Sequence, residues 1–286
     1  MARLLVNPTS GGGRGAALAA RLRSTAEVEV RLTRSAEEVT ELARRAVAEG
    51  VGRLLVAGGD GTLHRAIRAL AGTDCALGII PTGRGNDLAR SLEVEPDPER
   101  AARRALGAAV RRIDLGSLDG RPYAGVAGIG FDGEVARYAN EHLRSFRGAW
   151  TYPWAVLRTL VRFEPPELSI EHDGGSYTGC VMMAVFANAP FFGGGMRIAP
   201  AASLEDGSLD MVIVERLSRL RLVTAFPGVY RGRHLDHPAV IHRRLRGADV
   251  RAERGLQFYA DGEPLADSRP EGNRVEILPR SLRVVG

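Results

Sequence analysis

The sequence predicts a parallel α/β domain followed by an antiparallel β-sandwich or barrel. Over roughly the first 115 residues, short apolar runs alternate with helical periodicity, as strands buried between helices do. From about Leu118 the alternation stops, and short β-rich runs follow one another. Three successive strand ends of the first part also carry polar or glycine-rich loops, the place where open parallel sheets bind ligands.

In the first part the strand candidates are Leu4–Val6, Val28–Leu32, Leu54–Ala57, Leu77–Ile80 and Ile113–Leu115. The clearest helix covers 36–49. Ser35 and Glu38 form a capping box, Val39, Leu42, Ala43, Ala46 and Val47 share one face, and Gly50 marks the stop. A second helical pattern runs over 62–70, and Glu95-Pro96-Asp97-Pro98 reads as a loop before another helix. These features describe a Rossmann-like or related open sheet. In the second part the β-rich runs are Tyr123–Ala127, Leu168–His172, Gly179–Ala187, Leu209–Val214, Leu256–Ala260 and Val275–Leu278. A helix-like interruption from Gly133 to Phe163 brings Phe146, Trp150, Tyr152 and Trp154 close to arginines. Core packing between domains is the expectation for it, an interfacial lipid-facing surface the alternative. The domains are expected at 1–117 and 118–278, with 279–286 able to rejoin the first.

Composition narrows the chemistry. The 286 residues are 44% apolar and 26% charged, which excludes disorder and a disulfide- or metal-stapled miniprotein. Two cysteines are too few for a disulfide framework or a thiolate zinc site. With 39 basic and 34 acidic residues the net charge is +5, which suits an anionic partner. Every basic side chain except histidine is arginine, so a Walker A lysine, a Schiff base and pyridoxal attachment are excluded. The opening run Arg3–Val6 is expected to be a strand rather than a leader, and no apolar run reaches 18 residues. A cytoplasmic protein, membrane-associated only at the periphery, is the expectation.

The sharpest motif is Gly58-Gly59-Asp60-Gly61-Thr62, between a buried strand and a helix. Glycines there let the backbone approach a phosphate, and the helix N-terminus adds partial positive charge. A carboxylate among such amides implies magnesium or a network that orients it. Asn7 through Gly15 form a second loop and Pro81 through Asp87 a third, so one shared nucleotide site is the economical reading. Arg14 or Arg84 can supply the charge of the missing lysine. Asn86 and Asp87 serve equally well as helix N-caps. His234, His237 and His242, with Asp236, have irregular spacing and read as surface residues. The arginine-rich stretch Arg216–Arg246 reads as a solvated face that also suits anionic headgroups.

Six motifs in order, Asn7-Pro8 with its glycines, Gly58–Thr62, Gly83–Asp87, Gly128-Ile129-Gly130-Phe131-Asp132, Leu204-Glu205-Asp206-Gly207 and Asp261-Gly262-Glu263, resemble the diacylglycerol kinase catalytic-domain family, which includes bacterial lipid kinases and sphingosine kinases. The resemblance implies an α/β nucleotide domain, a β-sandwich lipid domain and an active site in the cleft between them. It also implies magnesium-dependent transfer of the ATP γ-phosphate to a lipid hydroxyl, with diacylglycerol as first choice. By the same resemblance Glu263 is the general base and Asp60 acts beside it. Thr33, Gly58, Gly59, Asp60, Gly61, Thr62, Arg84 and Asn86 contact the nucleotide. Asp206, with the carbonyls of Ser203 and Ser208 and with Asp114, belongs to a magnesium network. Two departures stand out: Arg84 where many members have threonine, and His64 where asparagine is common.

The partners expected are ATP, a lipid alcohol and an anionic membrane surface, without nucleic acid, and a homodimer is left open. An NAD kinase is the rival enzyme, opposed by the two later motifs. A binding protein with a dead site is the rival outside catalysis, opposed by the retained acidic residues. A nucleic-acid binder is opposed by the lack of aromatics interleaved with arginines.

Overall fold

The computed structural model describes residues 2–25, 28–142, 151–252 and 255–286. The chain runs β1 (Ala2–Val6), α1 (Arg14–Thr25), β2 (Glu29–Leu32), α2 (Ala36–Ala48), β3 (Arg53–Gly58), α3 (Asp60–Leu70), β4 (Ala76–Pro81), α4 (Asp87–Ser91) and α5 (Pro98–Gly107). Then come β5 (Val110–Leu118), β6 (Arg121–Tyr123), β7 (Val126–Gly130), α6 (Phe131–His142), α7 (Thr151–Arg162), β8 (Glu167–His172), β9 (Gly175–Ala187), β10 (Phe191–Phe192), β11 (Met196–Arg197) and β12 (Leu209–Glu215). The last elements are α8 (Arg219–Val229), β13 (Val240–Leu245), β14 (Gly247–Ala252), β15 (Gln257–Ala260), β16 (Glu263–Asp267) and β17 (Asn273–Val285).

Strands β4, β3, β1 and β2 lie side by side and parallel, in that order. Their side chains alternate between two cores. Leu5, Leu54 and Val56 pack with Val39, Ala43, Leu63 and Ile67 of α2 and α3. Leu4, Val6, Leu55 and Ala57 pack with Leu18 of α1 and Ala101 and Ala105 of α5. Burial on both faces explains why these strands read as continuous apolar runs. Helix α2 starts as expected, with the Ser35 hydroxyl accepting from Glu38 N–H at 3.3 Å. The returning arm differs: the Glu38 carboxylate takes the N–H of Arg34, one residue before the cap.

The C-terminal half is antiparallel around a third core that includes Tyr123, Ile129, Phe186, Ile213, Val250 and Phe258. Two strands of 13 residues hold the layers together. In β9, Gly175–Cys180 pair with β8, whereas the segment from Val181 onward pairs with β7 and β12. In β17, Asn273–Glu276 pair with β14, and Val284 lies beside Leu77 of β4 in the parallel sheet.

The helix-like segment after Gly133 resolves into α6 and α7. Core packing for its aromatics is corrected at Trp154, which is 54% exposed. Phe146, Trp150 and the side chain of Tyr152 lie outside the described residues. His234 is buried rather than on the surface, with Nε2 2.9 Å from the Ile198 carbonyl, and burial lowers its pKa. No helix among the described residues is long and apolar enough to cross a membrane.

Candidate active site

The loops after β1, β3 and β4 meet at the carboxyl edge of the parallel sheet. A Cβ on Gly83 would stand 2.4 Å from Gly59 Cα, so the loops after β3 and β4 touch backbone to backbone. Ser10 and Thr82 hydroxyls lie 2.6 Å apart, and Asn7 Nδ2 reaches Thr62 Oγ1 at 3.3 Å. Arg14 donates from Nη2 to the Gly83 carbonyl at 3.0 Å and from Nε to that of Gly11 at 3.3 Å, bridging the loops after β1 and β4.

A second group converges from α3, α4 and the β15–β16 hairpin. Asp60 begins α3, and its Oδ1 accepts Asp87 N–H at 2.8 Å and Leu88 N–H at 3.4 Å. Asp87 Oδ2 accepts Gly194 N–H at 2.7 Å. A Cβ on Gly85 would lie 2.7 Å from Asp60 Oδ2 and 3.6 Å from Asp87 Oδ2, so the two carboxylates share one small space. Burial first, and then the charge of Asp87, raise the pKa of Asp60.

Asp261 and Gly262 form the two-residue turn of the β15–β16 hairpin, both with positive φ. The Asp261 carboxylate accepts N–H groups from Ala124, Gly125 and Val126 at 3.2, 2.9 and 3.1 Å, and His64 Nδ1 stands 3.1 Å away. A carboxylate so engaged only accepts, so Nδ1 of His64 donates and its buried Nε2 is left without a partner. Glu263 follows the turn, and its Oε2 accepts from Arg65 at 3.1 Å.

Three cavities form a row. The first, about 1030 Å³, is lined by Asn7–Gly11, Thr33, Gly59–Thr62, Arg65, Gly83 and Glu263. The second, about 230 Å³, shares Asp60 with the first and adds His64, Asp87 and Asp261. The third, about 150 Å³, is almost wholly apolar, with side chains of α6, α7 and α8, and shares Asp132 and Phe192 with the second. At that junction Asp132 Oδ1 is buried without a partner, and burial pushes the carboxyl up to about 6.

Six of the sequence-predicted residues therefore surround the first cavity: Thr33, Gly59, Asp60, Gly61, Thr62 and Glu263. Gly58 ends β3 behind them, against Thr62. Arg84 is exposed and lines none of the three cavities. Asn86 precedes α4 in a left-handed conformation without capping through its side chain, and its Nδ2 bonds the Gly83 carbonyl at 3.0 Å. The Ser203–Ser208 loop lies apart from the cavities. Asp114 accepts N–H groups from Gly207 and Arg280, each at 2.7 Å, while Asp206 takes Ser208 N–H and the Arg244 guanidinium. These carboxylates are satisfied by N–H donors, so the loop is a poor fit for a cation. No group of three or more histidine, cysteine or acidic side chains poised for a metal occurs among the described residues. Sequence reasoning places Asp87, Asp132 and Asp261 within its motifs and notes His64 as a departure, but gives none of them a catalytic, nucleotide or metal role and does not pair His64 with Asp261. Spacing alone carries no signal for them beyond the cap and turn chemistry of their loops.

Residues 1–118 match the diacylglycerol kinase catalytic domain, and residues 125–286 match the YegS C-terminal NAD kinase beta sandwich-like domain. A protein of Mycobacterium tuberculosis named diacylglycerol kinase is 33% identical over 98% of this chain and 93% of its own. One of the same name from Bacillus subtilis is 28% identical over 92% and 89%. A crystal structure of a diacylglycerol kinase from Bacillus anthracis shares the fold with a TM-score of 0.76 at 21% identity, covering 99% of this chain and 96% of that one. Another structure from the same organism reaches 0.81 at 23% identity, over 99% and 94%. The ordered motifs, the two-domain architecture and these nearly full-length matches agree: the chain belongs to the diacylglycerol kinase family of lipid kinases.

Proposed function

We propose that the protein transfers the γ-phosphate of ATP to the hydroxyl of diacylglycerol, giving phosphatidic acid. The observation that carries this reading is the row of cavities: a large one walled by backbone amides, a small acidic one, and an apolar one, joined through Asp60 and then Asp132. That order matches a nucleotide, a reaction centre and an acyl chain. The polyphosphate lies against the Gly59–Thr62 amides and the α3 N-terminus, with Arg14 tying the loops beneath it. Asp60, whose Oδ1 takes the N–H groups of Asp87 and Leu88 and whose Oδ2 faces the cavity, would hold a magnesium ion together with phosphate oxygens, since that ion is commonly bound by one or two carboxylates plus phosphates, whereas Asp87 is already engaged by Arg90 and by the Gly194 N–H. Magnesium supplies charge neutralisation on the phosphates.

The acceptor hydroxyl enters from the apolar side past Asp132, whose unmatched oxygen takes a hydrogen bond from the glycerol head. Glu263, oriented by Arg65, removes the hydroxyl proton as the oxygen attacks phosphorus and ADP departs. The reaction belongs at the cytoplasmic face of the membrane, where such a lipid resides.

The test offers labelled ATP and magnesium with diacylglycerol, ceramide, sphingosine, phosphatidylglycerol and NAD in parallel. Labelled phosphatidic acid with wild type, lost in Glu263→Gln while ATP binding persists, is the expected result. Labelled NAD would replace the lipid reading. Undiminished transfer by Glu263→Gln would remove that residue as the base.

A further inference from the structure

Among the described residues seven large apolar side chains are exposed, and six of them gather in one region. Trp154, Leu157 and Val161 are 54%, 52% and 55% exposed, and their spacing puts them on one face of α7. The other face is Ala155 and Leu160, both buried. Leu220, Val223 and Tyr230, on α8 and just beyond it, are 75%, 48% and 47% exposed. Helix α8 is rich in apolar residues yet none is fully buried. A helix of that composition is normally covered by protein or lipid.

The charge on these helices and their short flanks is one-sided, with Glu164, Glu215 and Asp236 just beyond them. Residues 151–163 and 216–235 contain seven arginines, at 158, 162, 216, 219, 221, 231 and 233, and no Asp or Glu. None of the seven forms an ion pair with a carboxylate among the described residues, and all but the half-buried Arg158 are exposed. Exposed apolar side chains on helices whose arginines have no carboxylate partner among the described residues suit the headgroup region of an anionic bilayer, where the apolar groups leave water and the arginines meet lipid phosphates. A protein partner would have to bring carboxylates to meet these arginines, whereas an anionic bilayer presents phosphates across its whole surface.

The same two helices wall the apolar cavity: Val156 and Leu160 from α7, with Leu222, Phe226 and Val229 from α8. We propose that α7 and α8 form the membrane-docking face of the protein. Trp154, Leu157, Val161 and Leu220 insert into the interfacial layer of a bilayer containing anionic phospholipid, and the flanking arginines hold the phosphates. The acceptor lipid then passes between the helices into the cavity without crossing water. This deepens the lipid-kinase reading and rests on it for that last step; the docking itself does not require catalysis.

Binding is tested with phosphatidylcholine vesicles, with and without about 30% phosphatidylglycerol and free of diacylglycerol. The wild-type chain is expected to co-sediment with the anionic vesicles and to be released by salt. The triple variant Leu157→Gln, Val161→Gln, Leu220→Gln is expected to lose at least about tenfold in affinity. It should keep its melting temperature and its activity on a short-chain, water-soluble diacylglycerol, while activity on vesicle-borne diacylglycerol falls. In a Trp150→Phe background, Trp154 is the sole tryptophan, and brominated lipid should quench it. Equal vesicle binding by the triple variant, or no quenching of Trp154, overturns the docking face. A dimer of the wild type that the triple variant abolishes, without vesicle binding, reassigns the face to a second copy of the chain and overturns the proposal. Vesicle binding with quenching but without transfer to any diacylglycerol leaves docking standing and removes the proposed substrate.

Discussion

A single carboxyl group links stability to the use of this site. Asp132 has a native pKa of about 6 against an ordinary value of 3.8, because burial disfavours its charged form. Between those values the folded chain holds a proton that the unfolded chain has released, so stability falls as pH rises through the window. Asp132→Asn removes that titration. Urea unfolding should show the variant level with wild type near pH 4 and more stable above pH 6. The gap between the two pKa values sets the gain at no more than about 3 kcal/mol. If Asp132 meets the acceptor head, the same variant loses transfer, and a gain in stability with loss of activity is the expected pair of results. Equal stability at both pH values would show that Asp132 is not desolvated. Asp114 behaves oppositely. Its two oxygens satisfy the N–H groups of Gly207 and Arg280, and Asp114→Ala should destabilise the protein by about 2 kcal/mol by leaving them unpaired. A purely structural role predicts the same loss in EDTA as in magnesium, whereas a magnesium-held loop would lose stability in EDTA before any mutation.

Single elements explain what can be read without coordinates. Helix α2 is legible because its cap, apolar face and stop all act within one run of chain, and the Asp261-Gly262 turn because a two-residue hairpin is written in its own letters. The glycine loops are legible as strand ends, but not their mutual contact: Gly59 and Gly83 lie 24 positions apart, and their approach is set by β3 and β4 lying parallel and in register. For the same reason Asp87 reads as a cap, and the meeting of its carboxylate with that of Asp60 is a property of two helix starts on neighbouring strands. Asp114 is a metal-network residue by the family resemblance alone; what it meets is set by the irregularity in β17 between Leu278 and Leu282, where Pro279 marks a break in the strand but not the partner that the break brings to Asp114. The loop contact can be tested directly. Gly83→Ala drives a methyl group to within 2.4 Å of Gly59 Cα and should part the loops, costing about 1–3 kcal/mol and weakening ATP binding more than lipid binding. Gly107→Ala, where an added methyl meets nothing at the end of α5, should leave both unchanged. Calorimetric titration of each variant with ATP separates the cases.

At the scale of the whole molecule, the two halves are joined through strand pairing rather than through a linker. Strand β5 pairs with β17 along nearly its full length, from Leu118 beside Val275 to Val110 beside Val285. Strand β17 in turn borders β14 at one end and β4 at the other. The apolar residues at its C-terminal end belong to both faces of the parallel sheet, Leu282 and Val284 to one core and Val285 to the other. The nucleotide loops hang from that sheet, and Asp261 and Glu263 hang from the sandwich, so the cavity row exists only while the two are held in register. Removing residues 279–286 therefore should do more than fray a terminus. It bares the edge of β4, leaves Ile113 and the first half of β5 unpaired, and takes three buried side chains out of the core. Burial of each such side chain contributes about 1.5–3 kcal/mol, which together approaches the whole stability of an ordinary domain. The shortened chain is expected to fail to fold, while the full chain unfolds in one transition with far-ultraviolet circular dichroism and tyrosine fluorescence coinciding. Two separated transitions in the full chain, with the parallel sheet melting before the sandwich, would mean that β17 does not couple them.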